Sequence, residues 1–307
     1  MAELYPWLHA KFKQLQALAG NDQLAHALVF SGNAGIGKRA MAEALAALLL
    51  CKTPLLTGAC GSCKSCLLRL AGNHADLLLL YSDTQHIGVD AVRQLTRFTQ
   101  GAAQQHGVKV VIIPAADTMT EAAANALLKT LEEPPAGCYI MLITQNYSQL
   151  SATIRSRCQQ WQLSAGNAEQ SRQWLSQQHN QPLPPFLLEY CQGSPLKALR
   201  LLKTNTADSL ASVLTLLDDY FSGQLEHNSA VKQLDGTTEL AGILGFYLRQ
   251  RLSTPFEFQR QHTLLTAYQR WCRDATQIIG QNSALALSGL LTELTPLLHH
   301  QEAKWKS

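Results

Sequence analysis

The stretch Gly32-Asn33-Ala34-Gly35-Ile36-Gly37-Lys38-Arg39 decides the fold of this chain of 307 residues. It follows a short apolar run, Ala27 to Phe30, and opens an Ala- and Leu-rich segment, Ile36 to Leu50, that is typical of a helix. The spacing matches G-x-x-x-x-G-K, a loop whose backbone N–H groups converge on phosphate oxygens at a helix N-terminus. The candidate nucleotide-binding residues are therefore Gly32, Gly35, Gly37 and Lys38.

Two departures from a nucleotide hydrolase accompany this phosphate-binding loop (P-loop). The position after Lys38 should carry a Ser or Thr hydroxyl for Mg²⁺, but Arg39 occupies it and would repel a cation. The apolar run Val108 to Ile113 should end in acidic residues, but Pro114-Ala115 follows it, and the next carboxylate is Asp117. We therefore expect no ATP hydrolysis by this chain, while the retained loop leaves binding of ATP or ADP open.

Apolar runs alternate with helical patterns through the first half of the chain. Besides Ala27 to Phe30 and Val108 to Ile113, strands are predicted at Leu77 to Tyr81 and Cys138 to Ile143, and a helix at Val89 to Thr99. Apolar strands separated by helices indicate an α/β fold with a parallel sheet covered by helices on both faces.

Strand patterns stop after about Leu163. Residues 166–205 are predicted to form a small helical lid interrupted by prolines, and residues 206–307 an all-helical domain. Apolar side chains recur there at helical spacing, at Leu210, Val213, Leu214, Leu217 and Phe221, and again at Leu240, Ile243, Leu244, Tyr247 and Leu248. Residues 1–165 form the predicted P-loop domain.

Four of the eight cysteines crowd into the segment 51–66. Cys60, Cys63 and Cys66 follow one another at x₂ spacing, and Cys51 lies at the expected end of the P-loop helix. Four thiolates can close a tetrahedral site with no open position, so the predicted ligands of a structural Zn²⁺ are Cys51, Cys60, Cys63 and Cys66. Four free thiols are the alternative.

Composition limits the classes of partner. The formal net charge of +3 permits phosphate contacts without requiring them. The sequence has no apolar run long enough for a membrane span, and its N-terminus lacks the pattern of a secretory signal. We therefore expect a cytoplasmic protein with no membrane partner.

The segment Ile154-Arg155-Ser156-Arg157-Cys158 carries two arginines next to a cysteine. Taken alone, such a pair is most often a pair of solvated charges on the protein surface.

The sequence resembles the gamma/tau and delta-prime group of bacterial DNA polymerase III clamp-loader subunits, which are AAA+ proteins. Three features of residues 1–203 carry the resemblance: the string Ala123 to Pro135, the four-cysteine insertion after the P-loop helix, and Ser156-Arg157-Cys158. The resemblance implies an AAA+-type sheet domain, a helical lid and a C-terminal oligomerising collar. It also implies that Arg157 is an arginine finger, which reaches across a subunit interface to a neighbour's ATP.

Departures within the group favour the delta-prime type, since Leu196, beside Lys197, stands where the ATPase members have a phosphate-sensing arginine. The implied partners are the gamma/tau and delta subunits, the sliding clamp and, within the complex, primed DNA. The chain would then belong to the DNA polymerase III holoenzyme without being an ATPase. Two alternatives are an ATPase motor subunit of the same family and a free-standing zinc-containing nucleic-acid binder, against which the scarcity of interleaved basic and aromatic residues speaks.

Overall fold

The computed structural model describes residues 4–81, 86–105, 107–252, 258–278 and 280–298. The strands are β1 (Ala27–Ser31), β2 (Leu77–Leu79), β3 (Lys109–Ile113), β4 (Cys138–Thr144) and β5 (Gln159–Gln162). The helices of the first half are α1 (His9–Gly20), α2 (Lys38–Leu50), α3 (Lys64–Leu70), α4 (Val89–Gln100), α5 (Glu121–Glu132) and α6 (Ala152–Arg155). Those of the second half are α7 (Ala168–Gln178), α8 (Leu187–Tyr190), α9 (Pro195–Lys203), α10 (Thr206–Phe221), α11 (His227–Leu234), α12 (Leu240–Leu252), α13 (Phe258–Gln277) and α14 (Ser283–Leu298).

The five strands form one parallel sheet in the order β2-β3-β4-β1-β5. This confirms the predicted α/β fold with a parallel sheet. The sequence did not predict β5, because its Gln-Gln-Trp-Gln composition contains no apolar run and only Trp161 of the strand is buried. As an edge strand paired only with β1, it buries one face, so a polar sequence suffices.

Apolar layers cover both faces of the sheet. Side chains of α1 and α2 pack against one face, and those of α4, α5 and α6 against the other. Every residue of β1 and β3 is buried. This burial on both faces explains why these strands are apolar apart from Ser31 at the end of β1 and Lys109 at the start of β3, and do not alternate with polar residues.

Local signals set the ends of the two helices that matter for the site. Helix α2 begins at Lys38, two residues later than predicted, because Gly37 has a left-handed backbone (φ +90°) that cannot continue a helix. Helix α5 is capped by Thr120, whose hydroxyl accepts a hydrogen bond from the Ala123 N–H at 3.2 Å. It ends just before Pro134, which cannot extend it.

The chain divides into two compact units, each with its own core. The first consists of Met1–Trp174 and Gln192–Lys197, and the second of Leu175–Cys191 and Ala198–Ser307. The predicted lid, 166–205, is therefore shared between the units, and the three-part division at 165 and 205 stays a prediction. Of the predicted collar, residues 299–307 lie outside the described residues. Within the described residues, no helix combines the length and apolar composition needed to cross a bilayer.

The second unit buries an apolar core built from side chains of α10 to α14, together with Phe186. The predicted helical repeats supply much of it, since Leu210, Leu214, Leu217 and Phe221 are all buried there. A charged pair lies inside this unit: Arg251 Nη2 donates to Asp218 Oδ1 at 2.5 Å and to Tyr247 Oη at 2.8 Å. Both charged side chains are at least nine-tenths buried, so the ion pair compensates part of the cost of burying them.

We expect Asp218→Ala to lower the free energy of unfolding of this unit by about 3–5 kcal/mol, because the buried Arg251 loses the carboxylate of an ion pair. Urea denaturation followed by circular dichroism measures the loss. Asp219→Ala removes a neighbouring charge outside this pair and should cost no more than about 0.5 kcal/mol. Equal losses of unfolding free energy in the two variants would contradict a specific contribution of the buried ion pair to stability.

Candidate functional site

The P-loop lies at the carboxyl end of β1 and leads into α2. Because β1 is an inner strand, paired with β4 on one side and with the edge strand β5 on the other, the loop lies among the carboxyl ends of the strands. Ligands of open parallel sheets bind at this edge. The fold therefore places Gly32, Gly35, Gly37 and Lys38 where a phosphate-binding site is expected.

Lys38 is turned into its own loop. Its Nζ donates to the carbonyl oxygens of Gly32 at 2.6 Å and Asn33 at 2.7 Å. Burial lowers the pKa of the Lys38 ammonium, and the charge of Asp117 acts in the opposite direction. The sequence placed Asp117 after the strand but gave no sign that its charge acts on Lys38. In this arrangement the Lys38 ammonium, which would contact a bound phosphate, is hydrogen-bonded to carbonyl oxygens of its own loop.

The segment Gln192–Lys197 covers the loop from outside. The Leu196 N–H donates to the Gly35 carbonyl at 3.1 Å, and the Asn33 side-chain amide donates to the Gln192 carbonyl at 3.2 Å. A Cβ at Gly35 would lie only 2.4 Å from Ser194 Oγ. Leu196, which the family resemblance sets where ATPase members carry a phosphate-sensing arginine, is thus held against the loop through its backbone N–H.

Aromatic side chains cover the loop near its end. Tyr5 stacks on Trp7, and Trp174 meets both rings edge-on, with centroids 5.2 Å apart for Tyr5–Trp7 and for Trp7–Trp174. Trp7 Nε1 donates to the Ile36 carbonyl at 2.9 Å. A Cβ at Gly37 would lie 2.5 Å from the ring of Tyr5. Sequence reasoning missed this cluster, because Trp174 is distant along the chain and only the fold brings it to Tyr5 and Trp7.

The residues at the positions of catalytic metal ligands cannot bind Mg²⁺. Arg39 points along α2, where its Nε donates to Glu43 at 2.6 Å, and its guanidinium lies 5.5 Å from the centroid of the Tyr81 ring. Pro114 and Ala115 follow β3 without a carboxylate, as the sequence indicated. The site therefore keeps the shape of a P-loop, with side chains at Arg39, Pro114 and Ala115 that cannot ligate a cation.

The four predicted zinc ligands come together. The Sγ atoms of Cys51, Cys60, Cys63 and Cys66 all lie within 4.8 Å of one another. Two pairs, Cys51–Cys63 and Cys60–Cys66, are separated by 3.9 Å. A tetrahedron with Zn–S bonds of about 2.3 Å has sulfurs about 3.8 Å apart, so the donor set fits a four-coordinate structural metal.

Hydrogen bonds and burial shift the pKa values of two of these thiols, those of Cys60 and Cys66, in opposite directions. The Thr53 hydroxyl and the N–H groups of Cys63 and Ser62 lower the pKa of Cys60 to about 5. Burial raises the pKa of Cys66 to about 12. A divalent cation bound here would supply the positive charge that favours the ionised form of the buried Cys66.

A buried polar network ties the cysteine segment to the sheet. Ser65 Oγ donates to the Leu50 carbonyl at 2.5 Å and lies 2.7 Å from His74 Nε2. His74 Nδ1 accepts the Asp76 N–H at 3.1 Å, so Nε2 carries the proton and points at Ser65. Because Ser65 is fully buried and its own proton is donated to a carbonyl, this Ser–His pair is structural and not nucleophilic.

Arg157 lies just beyond α6 and is bound to Glu132, the last residue of α5. Its Nε donates to Glu132 Oε1 at 2.7 Å, and Nη2 contacts the same oxygen. Nη1 donates to the Thr153 carbonyl at 3.0 Å and to Ser156 Oγ at 3.1 Å. Arg155 turns elsewhere, with its guanidinium 5.7 Å from the centroid of the Tyr147 ring. The two arginines of this segment therefore have different partners in the structure. The sequence alone did not indicate that Glu132 is the partner of Arg157.

The strand order, the P-loop after the first strand and the cover of helices on both faces define an AAA+-type P-loop domain. Residues 7–167 match the family model described as "DNA polymerase III, delta subunit". The chain is 43% identical over 219 residues to the DNA polymerase III subunit delta' of Pseudomonas aeruginosa, a match that covers 70% of this chain and 66% of that protein. It is 37% identical to the subunit of the same name from Yersinia pestis, over 77% of this chain and 74% of the relative.

The chain therefore belongs to the DNA polymerase III delta-subunit family, among relatives named delta'. It spans about two thirds of the length of the curated relatives that it matches. A solved structure of a DNA polymerase III gamma subunit-related protein from Thermotoga maritima shares the fold. Its TM-score is 0.53 at 20% identity, over 92% of this chain and 99% of that one.

Proposed function

We propose that this chain is a clamp-loader subunit of the delta-prime type, which takes part in assembly and hydrolyses no ATP itself. The observation that carries the proposal is a P-loop fold that lacks its catalytic groups while Arg157 stands near the surface in a Ser-Arg-Cys sequence. A guanidinium near the surface can serve ATP bound to a neighbouring subunit once it exchanges its own hydrogen bonds for the phosphate. The family supports the role of a clamp-loader component.

The proposed partners are the gamma/tau and delta subunits, with the sliding clamp and primed DNA as the substrates of the assembled machine. A cytoplasmic location goes with this role. The C-terminal collar is proposed to hold the subunits together through the helices of residues 206–307. The cysteine cluster is proposed to hold one structural Zn²⁺ through Cys51, Cys60, Cys63 and Cys66.

We assign no nucleotide to the P-loop in this role. Lys38 is bonded to its own loop, Gly35 is covered by Ser194 and Leu196, and Tyr5 packs on Gly37. A phosphate bound by Lys38 would have to displace the carbonyls of Gly32 and Asn33 from its ammonium. The function proposed for the domain is therefore to present Arg157 and to support the assembly.

The purified chain is expected to show no ATPase above background, because neither Arg39 nor Pro114-Ala115 can hold Mg²⁺. Mixed with gamma/tau and delta subunits, it should form one complex with a DNA- and clamp-stimulated ATPase that requires it. Light scattering after gel filtration gives the mass, and phosphate release gives the rate. Magnesium-dependent turnover by the chain alone would support an ATPase motor instead. Tight, salt-dependent DNA binding without complex formation would support a nucleic-acid binder.

A further inference from the structure

The guanidinium of Arg157 has most of its donors engaged within its own chain. Of its five N–H groups, the Nε–H and one on Nη2 meet Glu132, and Nη1 donates to the Thr153 carbonyl and to Ser156 Oγ. A forked contact with a phosphate needs two neighbouring N–H groups on one edge of the guanidinium. Each such edge of Arg157 includes at least one N–H that is already donated. Arg157 therefore cannot grip a phosphate in this geometry until some of these bonds open.

The negative charge of Glu132 does not stabilise its own helix. Glu132 is the last residue of α5, where the unpaired carbonyls carry partial negative charge. A carboxylate at this end is unfavourable for the helix, and a neutral glutamine would serve it at least as well. The contact that uses the negative charge is the ion pair with Arg157.

We propose that Glu132 is a positioning residue for Arg157, which holds the guanidinium back on its own subunit and yields it to a neighbour's ATP phosphate. This inference rests on the proposed function of Arg157 as a finger. One anion is exchanged for another at the same guanidinium, and no covalent bond changes. The pair can open, because the side chain of Arg157 is 32% exposed and that of Glu132 is 48% exposed.

The exchange predicts a gain when the competing charge is removed. In the reconstituted complex, Glu132→Gln should lower the KM for ATP at the site that Arg157 serves by about two- to five-fold, the range set by the strength of exposed ion pairs. The KM of the whole DNA- and clamp-stimulated ATPase should fall by less, because the other sites are unaffected. The kcat should stay unchanged, because the exchange accompanies ATP binding. Glu133→Gln, which removes the same charge one residue further on, is the matched control and should leave KM unchanged.

Arg157→Ala separates the inference from the function on which it rests. In an Arg157→Ala background, Glu132→Gln should have no further effect, because the group that Glu132 restrains is gone. An unchanged KM in Glu132→Gln, or a fall in its kcat, would overturn the inference while a defective Arg157→Ala complex kept the finger role. If Arg157→Ala itself has no effect, the proposed function fails first. Equal KM changes in the Glu132→Gln and Glu133→Gln variants would point to surface charge in general and would also overturn it.

Discussion

Replacement of Arg157 by alanine is expected to abolish most ATP hydrolysis at the one site that this chain is proposed to serve, without preventing folding or assembly. An arginine finger supplied by a neighbour accelerates phosphoryl transfer by roughly 10³–10⁵-fold, because its planar fork meets the charge that develops on the γ-phosphate. The stimulated ATPase of the whole complex should fall less than this, since other sites keep their own fingers. Clamp loading onto primed DNA, measured with a labelled clamp, should fall with it.

Two further variants make the result specific to the guanidinium of Arg157. Arg157→Lys should rescue little, because a point charge cannot form the fork. Arg155→Ala removes a neighbouring arginine that packs on Tyr147, and it should leave the stimulated rate close to that of the wild type. A fully assembled Arg157→Ala complex with normal ATPase and normal clamp loading would leave Arg157 with no role beyond its ion pair with Glu132.

Loss of one cysteine of the cluster is expected to remove the metal altogether. Protein purified without chelator should contain about one equivalent of zinc, and Cys63→Ser should contain almost none, because three thiolates leave the tetrahedral site open. Metal-binding energy is folding energy in such modules, so residues 51–70 should lose protection from hydrogen exchange. Elemental analysis and exchange mass spectrometry measure the two effects.

The control for the cysteine variant is Cys272→Ser, which removes a thiol from the second unit and should keep the full zinc content. The parallel sheet has its own apolar layers and should stay folded in Cys63→Ser. Wild-type protein that is well folded around residues 51–70 without metal would contradict the assignment.

Features that depend on neighbours along the chain could be predicted from the sequence. The P-loop spacing located β1 and α2, and the x₂ spacing of the cysteines located a cluster whose sulfurs do meet. The continuous apolar runs at β3 and β4 followed from burial on both faces of the sheet. In each case the pattern lies within one local segment, so the feature can be predicted without knowledge of the fold.

Features that depend on distant pairs could not be predicted in the same way. Arg157 and Glu132 are 25 residues apart, and neither position shows a pattern that points to the other. Trp174 meets Tyr5 and Trp7 only because the chain returns to them after β5. Strand β5 itself was missed, because pairing with β1 stabilises it and its composition does not.

The close packing of the P-loop has a consequence for what a sequence motif can tell. A side chain at Gly35 would collide with Ser194, and one at Gly37 with Tyr5, so both glycines are required by the architecture alone. Lys38 likewise has a structural use, because its ammonium donates hydrogen bonds to two backbone carbonyls of the loop. Selection for a chain that folds would therefore preserve this motif even in a protein that no longer binds a nucleotide. The presence of the motif in related sequences would then be no measure of nucleotide affinity.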